Sequence, residues 1–564
     1  MKNVLVAKTG TFLCSILLLP GVSCNEKKAA PSLQALEALN LKRGEVITCG
    51  PTKQQFGLVD FETSCAPAQK ATFNLAIKLL HLFEYDEAEK VFAKIIDATP
   101  NCAMAYWGVA MANFHPLWTP PTPAELEKGS KAIEIARNLG GKTEKENLYV
   151  ESIAAYFNDW EHTDHRTRCL RYEKAMEKMH ATYPSDKETS IFFALALNAA
   201  ADKADKTYSK QKRAGEILSS LYPNEPNHPG IVHYIIHTYD VPELAKLALP
   251  AARRYASVAP SSAHALHMPS HIFIRLGLWN ESIQSNLTSI TSAQCYAAEA
   301  GIKGHWDEEL HGLDYLVYAH LQNGNNAQAK KQWEYLKTIH QVEPVNFKVA
   351  YAFAAIPSRY LLENRLWKEA ANLEPDHANL DWKNYPWQKA IFIYTRLLGD
   401  VNTGDLAAAK RELAELNRLH ELLKLKDPYQ ANQVLIQIRS SEAWINFKEG
   451  NVTKAVQQMQ VAADMEDKTG KHPVTPCEVV PQRELQGELY MQLKDPVKAL
   501  QAYEANLANN PNRFNGLYGA GLAAAKSGNI EKAKEYYGRL IATVDTSTTA
   551  RPEFVVAKRY LEIH

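Results

Sequence analysis

The sequence predicts an all-α protein: helix pairs stacked side by side into an α-α superhelical solenoid, preceded by a short irregular N-terminal cap. Three observations predict it. Near the C-terminus, Gly487, Ala499, Tyr503 and Pro511 are followed 34 residues later by Gly521, Ala533 and Tyr537. Aromatic, Leu and Ala residues recur at helical spacing throughout, and strand-like alternation is scarce. A chain of 564 residues suits a long repeat array.

An offset of 34 with small residues at two positions, an aromatic four residues on and a closing proline is the tetratricopeptide (TPR) pattern. The reason is packing, because two helices approach closely only where small side chains face each other. The offsets recur in Ala76, Ala88, Phe92 and Pro100, and weaker copies end a first helix near Gly277, Gly324, Asn364 and Gly450. We therefore expect a signal peptide at 1–23, a tether and cap at 24–68, a TPR-type solenoid with a His-rich groove at 69–400, and C-terminal TPR repeats at 401–564. Trp118-Thr119-Pro120-Pro121-Thr122-Pro123 reads as a loop with an exposed aromatic. Lys471-His472-Pro473-Val474-Thr475-Pro476 stretches one repeat and sets the C-terminal units apart, and Gly399 to Gly404 marks a weak boundary.

Hydrophobic residues make up 46% and charged residues 22%, which excludes a largely disordered chain. Lys+Arg and Asp+Glu are both 63, and this balance leads us to expect no nucleic-acid partner.

Lys2 and Lys8 flank a short apolar stretch, Thr11 to Val22, and Gly21-Val22-Ser23 leads into Cys24. This is the layout of an export signal. A small residue before Cys24 suits lipidation at that cysteine, although Gly21 stands where a leucine is usual; ordinary cleavage near Ser23 is the rival reading. We expect a cell-envelope protein, in the periplasm or as an outer-membrane lipoprotein, meeting a membrane only through that anchor. Export permits disulfides. Cys49 and Cys65 flank a short non-helical segment and form the candidate pair, with isolated buried thiols as the alternative. No CxxC occurs.

Nine of the 19 histidines fall between His228 and His320. His233 and His237 are four apart, and His264, His267 and His271 stand at i, i+3 and i+7, each group on one helix face. His233 to His267 and His237 to His271 are both one 34-residue repeat. In TPR register these positions line the concave groove, with His311, Asp314 and Tyr318 opposite them in the next repeat. We take His233, His237, His267 and His271 as candidate ligands of a transition metal (Zn, Cu, Ni or Fe), with His264, His311 and Asp314 as further candidates. Arg275, Tyr318 and Arg359 are candidate ligand-binding residues, the arginines suiting a carboxylate or phosphate. Recognition of an organic ligand without metal, or a purely structural role, remains open for the histidines.

Ala136-Arg137-Asn138-Leu139-Gly140-Gly141-Lys142-Thr143 ends like a phosphate loop but lacks the first glycine, and Thr143 with Glu146 reads better as a capping box. HExxH and GxSxG are absent.

Phe73 to Tyr85, Ala103 to Trp118, Asn227-His228-Pro229-Gly230 to Asp240, and His264-Ala265-Leu266-His267-Met268-Pro269-Ser270-His271 resemble a group of exported bacterial TPR-domain proteins. The resemblance covers about residues 65 to 370 and becomes generic beyond 400. It implies the fold and that the His segments belong to the pattern, with no settled activity. The expectation is an exported repeat protein that binds a peptide, a protein or a small anionic ligand in its groove through a His-coordinated metal or without one. The alternative is a metal-dependent enzyme, hydrolytic or oxidative, in which Tyr318, Asp314 or Arg275 assists an ion.

Overall fold

The computed structural model describes residues 1–2, 5, 30–52, 55–117, 119–202, 204–375, 380–547 and 549–564. Cys14, Cys24 and Trp118 lie outside the described residues, and with them the expectations for export, lipidation and the exposed loop aromatic.

Helix–turn–helix pairs follow one another from Lys70–His81 with Tyr85–Ala98 to Phe514–Lys526 with Ile530–Thr543, and Pro552–Ile563 covers the last pair. The protein is an all-α TPR-type superhelix. Among the described residues one minimal sheet forms: His305–Trp306 pairs in parallel with Val342–Glu343. No helix among the described residues is long and apolar enough to cross a membrane.

The small-residue pattern has a direct steric cause. A Cβ built on Gly487 would stand 2.7 Å from the Tyr503 ring, and one on Gly521 2.6 Å from the Tyr537 ring. The glycines of first helices are the sockets into which the aromatics of second helices fit, and this repeats the packing along the chain. The Ala76, Ala88 and Phe92 positions of the first pair are fully buried in the same way.

Two long-range features close the superhelix. The cap crosses several repeats over residues 41–52 and 55–65. Lys42 and Ile47 donate backbone N–H groups to Glu89 and Glu87 at 2.8 and 2.9 Å, Gln55 N donates to Ser261 Oγ at 2.8 Å, and Leu58 N to Asn227 O at 2.9 Å. Disulfides hold it: Cys49 with Cys295, and Cys65 with Cys102. The expected Cys49–Cys65 pair is thereby corrected. The two ends of the cap reach different repeats, where Cys49 meets Cys295 within a helix and Cys65 meets Cys102 at the N-cap of another. Cys169 and Cys477 are buried and free.

The C-terminal repeats also turn back onto the middle of the chain. Trp279 Nε1 donates to Asn512 O at 2.9 Å, and Phe514 N to Gln322 Oε1 at 2.9 Å. Arg513, fully buried, bonds Glu363 at 2.5 Å and Glu484 at 3.0 Å. Two carboxylates from different repeats thus share one guanidinium, a geometry that holds only while all three are in place. The 470–477 loop reaches inward too, and Lys471 Nζ lies 3.2 Å from Asp240 Oδ2.

Candidate metal centre

Three successive first helices build the site: Pro229–Thr238, the broken segment Ala263–His267 with Pro269–Leu276, and Asp307–Gln322. In the first, the i, i+4 spacing brings His233 Nε2 and His237 Nε2 within 3.0 Å. In the second, Pro269 interrupts the helix at Met268, since proline has no N–H to continue the ladder. His264 therefore parts from the His267–His271 stripe and turns toward the preceding helix, its Nε2 3.2 Å from His233 Nε2. His267 Nε2 and His271 Nε2 meet at 3.1 Å, and the His311 ring packs 4.2 Å from that of His267.

The result is two three-histidine clusters, His233–His237–His264 and His267–His271–His311, each with ligand atoms mutually within 4.8 Å. The four histidines expected to share one ion divide between them, and His264 and His311 complete the sets. The clusters are neighbours: the His237 and His271 rings are 6.2 Å apart. Metal–imidazole bonds of about 2.0–2.1 Å at tetrahedral angles put ligand nitrogens about 3.3 Å apart, close to the separations found here.

The outer ring nitrogens determine the tautomers. His233 Nδ1 donates to the His81 carbonyl at 2.6 Å. His271 Nδ1 donates to Asp240 Oδ2 at 3.0 Å, and Asp240 also accepts from Arg275 Nε at 2.8 Å. His267 Nδ1 donates to Asn286 Oδ1 at 2.7 Å, and Asn286 spends its amide N–H on Ser282 O at 2.8 Å, which fixes which end faces the ring. Each of these acceptors takes the one proton of a neutral imidazole, so the Nε2 atoms of His233, His267 and His271 carry bare lone pairs aimed inward. Outer-sphere acceptors of this kind orient metal-ligating histidines. Burial first, then the adjacent imidazoles, hold His233, His237, His267 and His311 well below the ordinary imidazole range. Burial brings His271 to about 4 even against the opposing pull of Asp240.

The backbone permits this only through close contacts. Gly230 faces His81, where a Cβ would stand 2.6 Å from the ring Nδ1. His81 is in turn held by Glu188 at 3.0 Å and Tyr234 at 3.0 Å, so its carbonyl has a fixed place behind His233. Glu188 bridges His81 and His228 (2.9 Å), a third buried cluster whose imidazoles each bond a separate carboxylate oxygen. Phe83, at φ 60°, lays its ring 4.5 Å from that of His233.

Cavities reach the first cluster from two sides. One of about 390 Å³ is lined by His237 with Asp240, Arg275, Lys471 and Glu478. The other, about 210 Å³, is lined by His264 with Phe83, Glu84, Glu308 and Lys348. Burial pushes Glu478 up to about 7 and Glu84 up to about 8.

Other expected residues stand elsewhere. Asp314 is not with the histidines: it is paired with the fully buried Arg359, which also bonds the Cys477 carbonyl at 2.5 Å. Burial against that pairing leaves the Asp314 carboxyl at about 6. Tyr318 lies under Arg359 and 3.4 Å from Arg513, away from both clusters. Arg275 lines the larger cavity and also bonds Asp240 and the Asp240 carbonyl at 2.9 Å behind His271. The alignment of this helix is three residues off, and the residue missed is Tyr315, which follows His311 by four and lies against His267 and His271.

No protein-family model matches the chain, and no curated protein matches it. Similar solved structures include a human IFIT1 dimer with m7Gppp-AAAA, at 11% identity and a TM-score of 0.36, covering 82% of this chain and 94% of that one. A human IFIT1 dimer with PPP-AAAA follows at 11% identity and 0.35, covering 78% and 90%. A Naa15/Naa10 assembly bound to HypK-THB has 12% identity and 0.23, covering 87% and 72%. The expectation that nucleic acid is excluded is corrected: two of these solenoid neighbours hold a capped or triphosphate oligonucleotide. A zero sum over 564 residues says nothing about the charge inside one groove.

Proposed function

We propose that this helical-repeat protein holds two transition-metal ions side by side, one on His233, His237 and His264, the other on His267, His271 and His311. One observation carries the reading: His267 Nε2 and His271 Nε2 face each other at 3.1 Å while both Nδ1 protons are committed to pure acceptors. Two buried lone pairs at that distance repel, and a cation between them turns the contact into coordination. Imidazole sets of this kind suit Zn, Cu, Ni or Fe.

The first ion keeps a face toward the two cavities, so water, dioxygen or a small polar ligand can reach it. Three protein ligands and an open position are the arrangement of a catalytic metal. Cavity volumes of about 390 and 210 Å³ suit a small molecule and support metal-dependent hydrolytic or oxidative chemistry over capture of an extended partner. Lys348 and Glu308, paired beside His264, supply groups able to move a proton there.

Elemental analysis of the purified protein tests the reading. We expect a transition metal at about two ions per chain, matching the two clusters, and about one in the double variant His267→Ala, His271→Ala. No metal after reconstitution with Zn, Cu, Ni and Fe overturns it.

We also propose that the chain acts outside the cytoplasm, in the cell envelope, lipidated at Cys24. The N-terminal sequence pattern and the two disulfides of the cap support this. Cys24→Ser with unchanged mass and unchanged release from membranes counts against lipidation.

A further inference from the structure

Resting on that two-ion reading for its reactive end, we propose that the ligand of the larger cavity is a small organic acid, its carboxylate held by Arg275 and Lys471 and its other end turned to the ion on His237. The two cations come from distant parts of the chain, Arg275 from Pro269–Leu276 and Lys471 from the 470–477 loop. Both line the same cavity as His237, and both meet Asp240 there. Arg275 Nε donates to Asp240 Oδ1 at 2.8 Å, and Lys471 Nζ lies 3.2 Å from Oδ2.

One carboxylate thus answers two cations, and one positive charge is left over. The three side chains are 12%, 5% and 7% exposed for Arg275, Lys471 and Asp240, and an unbalanced charge is costly at that depth. The neighbouring charges are engaged elsewhere. Asp467 is paired with Arg483 at 2.7 Å, and the exposed Lys206 and Glu243 contribute one charge of each sign. Glu466 accepts from the Gln482 N–H at 2.7 Å and Glu478 from the Gln433 amide at 3.3 Å. Burial favours the protonated form of both carboxyls.

Donors remain for a ligand. Arg275 spends Nε and Nη2 on Asp240, and among the described residues its Nη1 has no hydrogen-bond partner. The Lys471 ammonium has three N–H bonds and turns two toward Asp240 and the His472 carbonyl, at 3.2 and 3.5 Å, which leaves one. Two donors and one surplus charge match the two oxygens of a carboxylate, whereas a phosphate dianion exceeds both. Leu117, Val241, Tyr429 and Pro473 also line the cavity and suit the hydrocarbon part of such an acid.

Calorimetric titration with benzoate and phenylacetate, beside their neutral amides and phenyl phosphate, is the test, on the protein as purified and after zinc reconstitution. The expected result is that the zinc-loaded wild type binds the two acids about 10–100-fold more tightly than the amides or phenyl phosphate, the worth of a hydrogen bond to a charged group. Lys471→Gln loses about the same factor, Lys471→Arg keeps the affinity, and both variants retain the zinc content of the wild type. Amides or phenyl phosphate binding as tightly as the acids, or no saturable binding of either acid, overturns the proposal. So does undiminished binding to Lys471→Gln, because the carboxylate then sits on the ion itself. In each of these cases two zinc ions in the wild type leave the two-ion reading standing. Acid binding that needs Lys471, in a protein that takes up no metal, keeps the anion site and overturns the two-ion reading.

Discussion

Asp240 Oδ2 stands 3.0 Å behind His271 Nδ1, and the same carboxylate is held by Arg275 and Lys471. Burial would raise its pKa, yet Lys471 and Arg275 keep it well below the usual carboxylate range. A full negative charge therefore backs the imidazole, fixing its tautomer and raising its basicity toward an ion. Asp240→Asn should weaken the second site by about 10–100-fold and leave the first nearly unchanged. Competition against a zinc chelator in wild type and variant measures both sites.

Gly230 tests the first cluster without touching a ligand. An added Cβ would meet His81 Nδ1 at 2.6 Å and displace the ring whose carbonyl holds His233 Nδ1. Gly230→Ala should cost about 1–3 kcal/mol of stability by overpacking and lower first-site metal affinity, while the second site binds as before. Chemical denaturation and metal titration read the two effects separately.

The Cys49–Cys295 bridge spans 246 residues, and the cap it anchors ties the first pair to Trp279–Glu299. Cys295→Ser should cost about 2–5 kcal/mol and expose residues 41–65 to limited proteolysis while the helical content is retained. Circular dichroism melts and mapping of the first cleavage sites check this.

Glu84 introduces a pH dependence of known sign. Burial, aided by Glu87 and Glu308 and opposed by the Ser262 hydroxyl, raises its folded pKa to about 8, against about 4.3 in an unfolded chain. The folded state keeps a proton that the unfolded state has released. Stability from this group is full below the unfolded value, declines as pH rises toward 8, and is level above it. The slope is at most about 1.4 kcal/mol per pH unit. Glu84→Gln, which still offers an acceptor to Ser262, should lose less melting temperature than wild type between pH 6.5 and 8.5. Equal losses in both proteins refute the assignment.

Much of this architecture is legible locally. The Gly487–Tyr503 and Gly521–Tyr537 sockets repeat because every helix pair solves the same packing problem with nearest neighbours. The His233–His237 and His267–His271 pairs are legible for the same reason, since a spacing of four on a helix is a spatial contact. The grouping of those pairs is not. It depends on the break at Pro269, which sends His264 to one cluster and leaves His267 and His271 to the other. A three-residue error in aligning Asp307–Gln322 was enough to put Asp314 and Tyr318 where His311 and Tyr315 belong, because the loops between repeats vary in length and shift the register.

The sequence by itself determined the helices, their pairing into repeats and the density of imidazoles on one strip. All of these follow from contacts within about one repeat. Only the tertiary structure decided that Cys49 meets Cys295, that Asp240 and Lys471 meet behind His271, and that six histidines gather in two clusters and not one. The physical reason is distance along the chain: these contacts join residues up to 246 apart, and their geometry is set by the summed rotation of many helix pairs, which no local pattern encodes.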